Sequence, residues 1–183
     1  MSEIEKTISS TILSKTFKNI KDNPLNNIGC TIGLIKENDI YNWKCTLIGP
    51  NDSPYKGGYF QLYLKFPFNF PQEGPEVIFK TPIFHLNVNP VKTKDQELGH
   101  CCVSVINYWS PDTSIEDLLV AIFALFYKAN AESAYRGYGD ETINEFNNDR
   151  VSYDKKVVYF TQKYANGLYK PPRDLTRWDF TMD

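Results

Sequence analysis

A change in hydrophobic period near Pro24 constrains the fold of this chain more than any other feature. Between Ile4 and Ile20 the apolar residues recur at helical spacing, and this stripe stops at Pro24, so the sequence predicts an N-terminal helix. From Thr31 to Lys80 apolar and polar residues alternate in short runs, which Gly- and Pro-rich segments separate. That alternation predicts antiparallel strands joined in order, and we expect a four-stranded meander.

The second half of the chain changes character again. Residues 81–111 show no long regular period, and an irregular segment of this length inside one domain is usually functional. Two candidate capping pairs at residues 113–117 then precede an apolar run, which predicts a buried helix starting near 114. Further helices are expected near 141–149 and 152–166. The order of helix, sheet, irregular segment and helices is typical of the α+β class.

Size and charge limit the number of domains and the classes of partner. The 183 residues are expected to contain one domain. A formal net charge of −2 lacks the basic excess of nucleic-acid or membrane-surface binders, so neither partner is expected. The first residues carry no secretory signal pattern, and four cysteines without one favour free thiols in a reducing compartment. We therefore expect a monomer in the cytoplasm or nucleus.

The residues capable of covalent or metal chemistry cluster in the irregular segment. The two histidines, His85 and His100, and the adjacent pair Cys101 and Cys102 all lie there. No Cys-x-x-Cys pair is present, and His85 is not followed by the spacing of a zinc deaminase, so we expect no metal. The residues alone leave two alternatives open, a Cys-His nucleophile or two small buried hydrophobic side chains.

Six short motifs occur in the order in which ubiquitin-conjugating enzymes carry them, and together they span about residues 10 to 166. They are Trp43 followed by Gly49-Pro50 and the run 51–60, Phe66-Pro67 with Phe70-Pro71, Pro75 and Val77, His85-x-Asn87, Gly99-His100-Cys101-Cys102-Val103, Trp109-Ser110-Pro111, and the run 160–165. The chain resembles this family. The resemblance implies a transferase with the α+β fold described above, a catalytic domain at 1–166 and a C-terminal extension at 167–183.

The resemblance also implies a role for residues of the irregular segment. Counting from Gly99, it places the nucleophile, which carries the modifier as a thioester, at Cys102. It gives the Asn87 amide two alternative roles, stabilising the oxyanion formed when lysine attacks or holding the active-site loop. His85 is expected to be structural, and Cys101 to be a packed small side chain.

Further contact sites follow from the resemblance. Ser133 and, second, Glu132 match a loop that faces the thiol and orients the incoming lysine. Lys15 and Lys18 on the first helix correspond to residues that meet the activating enzyme. The ligase is expected at two loops, which contain Gln72 and the residues Ser110, Pro111 and Asp112. Because Gln72 stands where partners of HECT-class ligases often carry phenylalanine, RING-type ligases are favoured.

Two departures from the family pattern lie beside the expected nucleophile. Leu86 occupies the position of the motif's proline, and fifteen positions separate Asn87 from Cys102, more than the family usually has. We expect the excess, residues 88–98, to form one wall beside the thiol. Two alternatives stay open, a ubiquitin-like modifier in place of ubiquitin and a non-catalytic ubiquitin-binding variant. No cofactor is expected, because the activating enzyme uses the ATP.

Overall fold

The N-terminal helix packs on the sheet through aromatic side chains. The computed structural model describes residues 3–170, 172 and 174–182. Helix α1 spans Glu3–Asp22 and ends shortly before Pro24, since proline disfavours helical geometry in the residue before it. Phe17 of α1 meets Trp43 edge-to-face with ring centroids 4.9 Å apart. This contact joins the helix to the sheet, and the predicted N-terminal helix is confirmed.

Four strands follow α1. They are β1 (Cys30–Leu34), β2 (Asn42–Ile48), β3 (Tyr59–Lys65) and β4 (Glu76–Phe79). Each strand pairs antiparallel with the next in the order β1-β2-β3-β4, which confirms the predicted meander. The buried residues of β2 and β3 alternate and face each other, as Cys45 and Leu62 do. Such alternation marks an antiparallel sheet that packs one face on the core.

The irregular segment begins by extending this sheet. His100 bridges Ile78 of β4, and Cys101 in turn bridges Val88. Two short extended stretches, around Val88 and around Cys101, therefore lie side by side beyond β4. Each stretch is too short to show an alternating pattern of its own, and the sequence consequently predicts no strand at either place.

The remaining helices begin at local caps. They are α2 (Ser104–Asn107), α3 (Ile115–Ala124), α4 (Gly139–Asn148) and α5 (Arg150–Tyr164). The Asp117 N–H donates to the Ser114 hydroxyl at 2.9 Å, so this pair of the two candidates caps α3. The Asp149 carboxylate accepts the Ser152 N–H at 3.1 Å and caps α5. The predicted C-terminal helices are confirmed, and two 3-10 turns occupy the loop before α4.

The C-terminal extension packs against the rest of the protein. Its residues 171, 173 and 183 lie outside the described part. Trp178 is only 4% exposed, and its backbone N–H donates to the Pro90 carbonyl at 3.0 Å. Phe180 packs on Phe84 with ring centroids 5.2 Å apart. A segment without a hydrophobic period is thus attached through two aromatic side chains.

Candidate active site

The adjacent cysteines point to opposite sides of their extended stretch. The Cys101 N–H donates to the Val77 carbonyl at 2.8 Å, and the Cys102 N–H donates to the Asn87 carbonyl at 2.9 Å. Because successive side chains of an extended chain alternate, Cys101 is 1% exposed while Cys102 is partly exposed. Burial and, second, the neighbouring Cys102 raise the pKa of the Cys101 thiol. The thiol at the surface is that of Cys102.

Gly99 sets the entry into this stretch. Its φ of +83° lies in the left-handed region that favours glycine. A Cβ at this position would lie 2.0 Å from the Phe79 carbonyl oxygen and 3.1 Å from the Trp178 ring. The backbone of Gly99 therefore passes through a gap that admits no side chain, and this passage positions Cys102 three residues later.

A side-chain amide lies beside the Cys102 thiol. Asn107 is the last residue of the short helix α2, and its Nδ2 donates to Cys102 Sγ at 3.7 Å. An N–H donor at this distance faces the negative charge that a thiolate carries. The sequence analysis missed Asn107, because the four intervening positions carry no signal that a helical turn returns the chain to the sulfur.

The Asn87 carboxamide is fully occupied by the backbone of the loop 130–133. Its Oδ1 accepts the Asn130 N–H at 2.7 Å, and its Nδ2 donates to the carbonyls of Asn130 at 2.8 Å and Ser133 at 3.2 Å. The residue is 1% exposed. Of the two expected roles of Asn87, the geometry corresponds to holding the loop, since both amide hydrogens already have acceptors.

His85 is buried and neutral next to Asn87. The Asn87 N–H donates to His85 Nδ1 at 3.0 Å, which assigns the ring proton to Nε2, 2.9 Å from the Leu125 carbonyl. Burial lowers the pKa of His85 to about 4, against the opposing effect of the Leu125 carbonyl. Both ring nitrogens are engaged with backbone groups, so the ring connects the irregular segment to the end of α3.

Ser133 and Glu132 occupy different positions in the loop. Ser133 is partly buried, and its hydroxyl accepts the Asn130 Nδ2 hydrogen at 3.3 Å. Glu132 is exposed, and its backbone N–H donates to Asn130 Oδ1 at 3.0 Å. The fold therefore brings the Ser133 backbone to Asn87, whereas the Glu132 carboxylate extends into solvent.

His100 and Tyr135 form a pair that the sequence analysis did not assign. His100 Nδ1 and the Tyr135 hydroxyl oxygen lie 2.7 Å apart. Burial, followed by the nearby Cys102 and Cys101, raises the pKa of Tyr135. Burial also lowers the pKa of His100, which Glu76 and Glu97 oppose. The one available sequence signal is that His100 lies two positions before Cys102, on the same face of an extended chain.

The insertion 88–98 is held on two sides. The Glu97 carboxylate pairs with the Lys65 ammonium of β3, and the Lys92 N–H donates to the Thr176 carbonyl of the extension at 2.6 Å. An open cleft of about 280 Å³ separates the insertion from β4 and is bordered by His100. The insertion thus lies next to the residue that shares a face with Cys102.

The predicted partner-binding residues are on the surface. Lys15 and Lys18 are exposed on α1. The Trp109 indole N–H donates to the Pro71 carbonyl at 2.8 Å and joins two loops to one another. These loops carry the exposed residues expected to meet the ligase, Gln72, Ser110, Pro111 and Asp112.

Two further properties concern only the part of the chain that the structure describes. No three His, Cys, Asp or Glu side chains lie together there as a metal site would require. Within the same residues, none of the helices combines the length and apolar character needed to cross a bilayer.

Comparisons with known proteins identify the family. Residues 12–161 match a family model described as "Ubiquitin-conjugating enzyme", and this range includes Asn87, Cys102 and the loop 130–133. The chain is also 34% identical over 134 residues to an Arabidopsis thaliana protein described as "Probable ubiquitin-conjugating enzyme E2 31", a match that covers 70% of this chain and 78% of the relative. This chain therefore belongs to the ubiquitin-conjugating enzyme family and is a transferase of the E2 class.

Proposed function

We propose that Cys102 is the residue that carries ubiquitin as a thioester. The observation that supports this assignment is exposure, because Cys30, Cys45 and Cys101 are buried whereas Cys102 reaches the surface. Burial raises the pKa of Cys30 to about 11 and also raises the pKa values of Cys45 and Cys101. A nucleophilic thiolate has to meet another protein, and the three buried thiols are unsuited to that task.

Two acyl transfers pass through Cys102 in this proposal. In the first, Sγ attacks the thioester carbonyl that the activating enzyme presents, and a new C–S bond forms as the old one breaks. In the second, a neutral lysine amine attacks the same carbon, a C–N bond forms and Cys102 leaves as a thiolate. The Asn107 amide, 3.7 Å from Sγ, donates to the sulfur that carries this charge.

We infer that Asn87 is a positioning residue and that His85 is structural. The bonds from the Asn87 amide to Asn130 and Ser133 support this role, because they tie the loop 130–133 to the irregular segment. Ser133 and Glu132 belong to this loop. We propose that the Ser133 hydroxyl orients the acceptor lysine and that the exposed Glu132 carboxylate attracts its ammonium group.

Family membership implies that ubiquitin, an activating enzyme and a ligase are partners. We propose that the activating enzyme contacts Lys15 and Lys18, since both are exposed on one helix. We propose that a RING-type ligase contacts the joined loops at Gln72 and 110–112. The bond from the Trp109 indole to the Pro71 carbonyl supports one continuous ligase surface.

We further propose a domain boundary at residue 166. Residues 1–166 then form the catalytic domain, which ends just after α5. Residues 167–183 form an extension, the strap, that holds the insertion 88–98 against this domain. The bonds from Trp178 to Pro90 and from Lys92 to Thr176 support the strap.

The four cysteines of the chain are free thiols. Free thiols favour a reducing compartment, the cytoplasm or nucleus, as the site of action.

A charging assay tests the assignment of Cys102. Incubation with ATP, activating enzyme and ubiquitin is expected to give an adduct that thiol reagents remove. Cys102→Ser is expected to give a thiol-resistant oxyester or no adduct. Cys101→Val, a matched change at the adjacent cysteine, is expected to charge like the natural protein because Val fills the same buried position.

The same assay separates the alternatives. Charging of Cys102→Ser with a thiol-sensitive bond would disprove the assignment. A panel of modifiers, each with its own activating enzyme, distinguishes ubiquitin from a ubiquitin-like protein. If no modifier forms an adduct, the assignment of Cys102 fails and the non-catalytic alternative is favoured.

A further inference from the structure

We propose that His100 is the hydrogen-bond donor to the oxyanion that forms when the thioester on Cys102 is attacked, and that Tyr135 fixes the ring form that makes it a donor. The inference rests on the proposed role of Cys102. The Asn87 amide offers no free N–H to the oxyanion. The Asn87 amide hydrogens are used by the carbonyls of Asn130 and Ser133, so a tetrahedral intermediate needs another donor.

The placement of His100 follows from the pairing of its stretch. His100 bridges Ile78, and Cys101 bridges Val88, so residues 100–102 are extended. His100 and Cys102 then project from the same face with their Cα atoms about 6.6 Å apart. Both are partly exposed, whereas Cys101 between them is buried. The imidazole and the thioester carbonyl accordingly lie on one side of the segment.

The Tyr135 hydroxyl selects the tautomer of the His100 ring. Tyr135 is anchored by its N–H, which donates to the Leu86 carbonyl at 2.9 Å, and its hydroxyl lies 2.7 Å from His100 Nδ1. Among the described residues, Nδ1 is the only hydrogen-bond partner of that hydroxyl. We infer that the phenolic proton points to Nδ1, which puts the ring proton of a neutral His100 on Nε2. Nε2–H is then free to donate.

The surroundings of the pair keep it in this form at neutral pH. Tyr135 retains its proton because burial and the nearby cysteines raise its pKa. Burial lowers the pKa of His100, and the two charged groups that oppose this effect are Glu76 on β4 and Glu97 on the insertion. A neutral imidazole with its proton on Nε2 still has one N–H that can donate a hydrogen bond to a developing oxyanion.

The attack by lysine passes through a tetrahedral intermediate on the thioester carbon. The lysine amine attacks the thioester carbon, a C–N bond forms, and the carbonyl π electrons move to the oxygen. His100 Nε2–H donates a hydrogen bond to this oxyanion and keeps its proton. When the C=O bond re-forms, the C–S bond breaks, Cys102 leaves as a thiolate, and the extra proton of the amine passes to solvent.

Single-turnover discharge to free lysine tests the proposal, with the full chain charged on Cys102 beforehand. We expect His100→Leu to slow discharge about 100-fold at saturating lysine, with little change in the lysine concentration that gives half the maximal rate. His100→Gln keeps an N–H donor and is expected to lose less than about tenfold. Tyr135→Phe removes the tautomer selection but leaves part of the rings with their proton on Nε2, so it is expected to lose less than about tenfold.

Three controls separate this role from damage to the fold. Tyr127→Phe removes an equivalent hydroxyl contact, the bond to Asp52, and is expected to discharge at the natural rate. All variants are expected to charge to completion, because the proposed role of His100 is tested by the discharge rate. A failure of the natural protein to charge would count against the proposed function of Cys102 and would not test His100. The ¹⁵N shifts of the His100 ring are expected to report Nε2–H in the natural protein and a mixture in Tyr135→Phe.

Two results would overturn the proposal. One is a discharge rate for His100→Leu within about twofold of the natural rate. The other is a His100 ring that carries its proton on Nδ1, since Nε2 would then have no hydrogen to donate.

Discussion

Asn87 and Asn130, 43 residues apart, are joined by two hydrogen bonds between one carboxamide and one peptide backbone. Asn87 Oδ1 accepts the Asn130 N–H at 2.7 Å, and Asn87 Nδ2 donates to the Asn130 carbonyl at 2.8 Å. The side chain therefore pairs with the loop as a neighbouring strand would. Since Asn87 is 1% exposed, water does not compete for these bonds, and each is worth more than at the surface.

Replacing Asn87 is predicted to impair lysine attack more than charging. Asn87→Ala leaves Asn130 and Ser133 without their partners, so the loop that bears Ser133 loosens. We expect discharge to free lysine to slow by about tenfold or more while Cys102 still charges. Hydrogen exchange is expected to show faster exchange of the Asn130 amide. An Asn130 amide as protected as in the natural protein would contradict the positioning role.

Ser133→Ala serves as the matched control for this prediction. It removes only the hydroxyl that accepts from Asn130 Nδ2 and leaves the bonds to the Asn87 amide intact. A smaller loss of discharge rate is expected, with unchanged exchange at the Asn130 amide.

The buried His85 is predicted to make stability depend on pH. Its pKa is lowered from 6.5 to about 4 in the folded state by burial, so the unfolded chain binds the proton at higher pH. Above pH 6.5 the titration of His85 costs the folded protein no stability. As the pH falls from 6.5 toward 4, the free energy of unfolding decreases by a total of about 3 kcal/mol. Urea unfolding at several pH values measures it. His85→Gln, which cannot titrate, is expected to lose less stability over the same range.

Charge reversal on α1 is predicted to slow charging. Lys15→Glu with Lys18→Glu is expected to reduce the charging rate by about tenfold at low salt, because complementary charge speeds encounter with a partner. The effect is expected to shrink at high salt. Lys36→Glu with Lys155→Glu, at two exposed lysines outside α1, is the control, because it changes the net charge by the same amount. Equal slowing by the control would show that net charge, rather than this helix, governs charging.

Trp178 is predicted to contribute most of the stability that the extension provides. Its side chain is 4% exposed and packs against Gly99, so Trp178→Ala leaves a cavity and is expected to lower the free energy of unfolding by about 3 kcal/mol or more. Leu168→Ala, at a position 84% exposed in the same extension, is expected to change little. Similar urea midpoints for both variants would contradict the prediction that Trp178 attaches the extension to the rest of the protein.

Local patterns determined the elements that repeat over many residues. The helical stripe from Ile4 to Ile20 produced α1, and alternation produced the strands, because both signals come from the geometry of a single element facing one core. Ser114 and Asp117 marked the start of α3 through a bond within one turn. The family resemblance, counted from Gly99, nominated Cys102, and the left-handed φ that favours glycine at position 99 is also a local demand.

Contacts between distant residues were decided only by the tertiary structure. No pattern around His100 indicates that Tyr135 lies 2.7 Å from its ring, and none around Trp178 indicates that it closes over Gly99. The resemblance left Asn87 with two roles, and the observation that favours holding the loop is its hydrogen bond with Asn130 across 43 positions. Hydrogen bonds and packing of this kind depend on which elements meet in space. The hydrophobic periodicity of the sequence does not indicate these meetings.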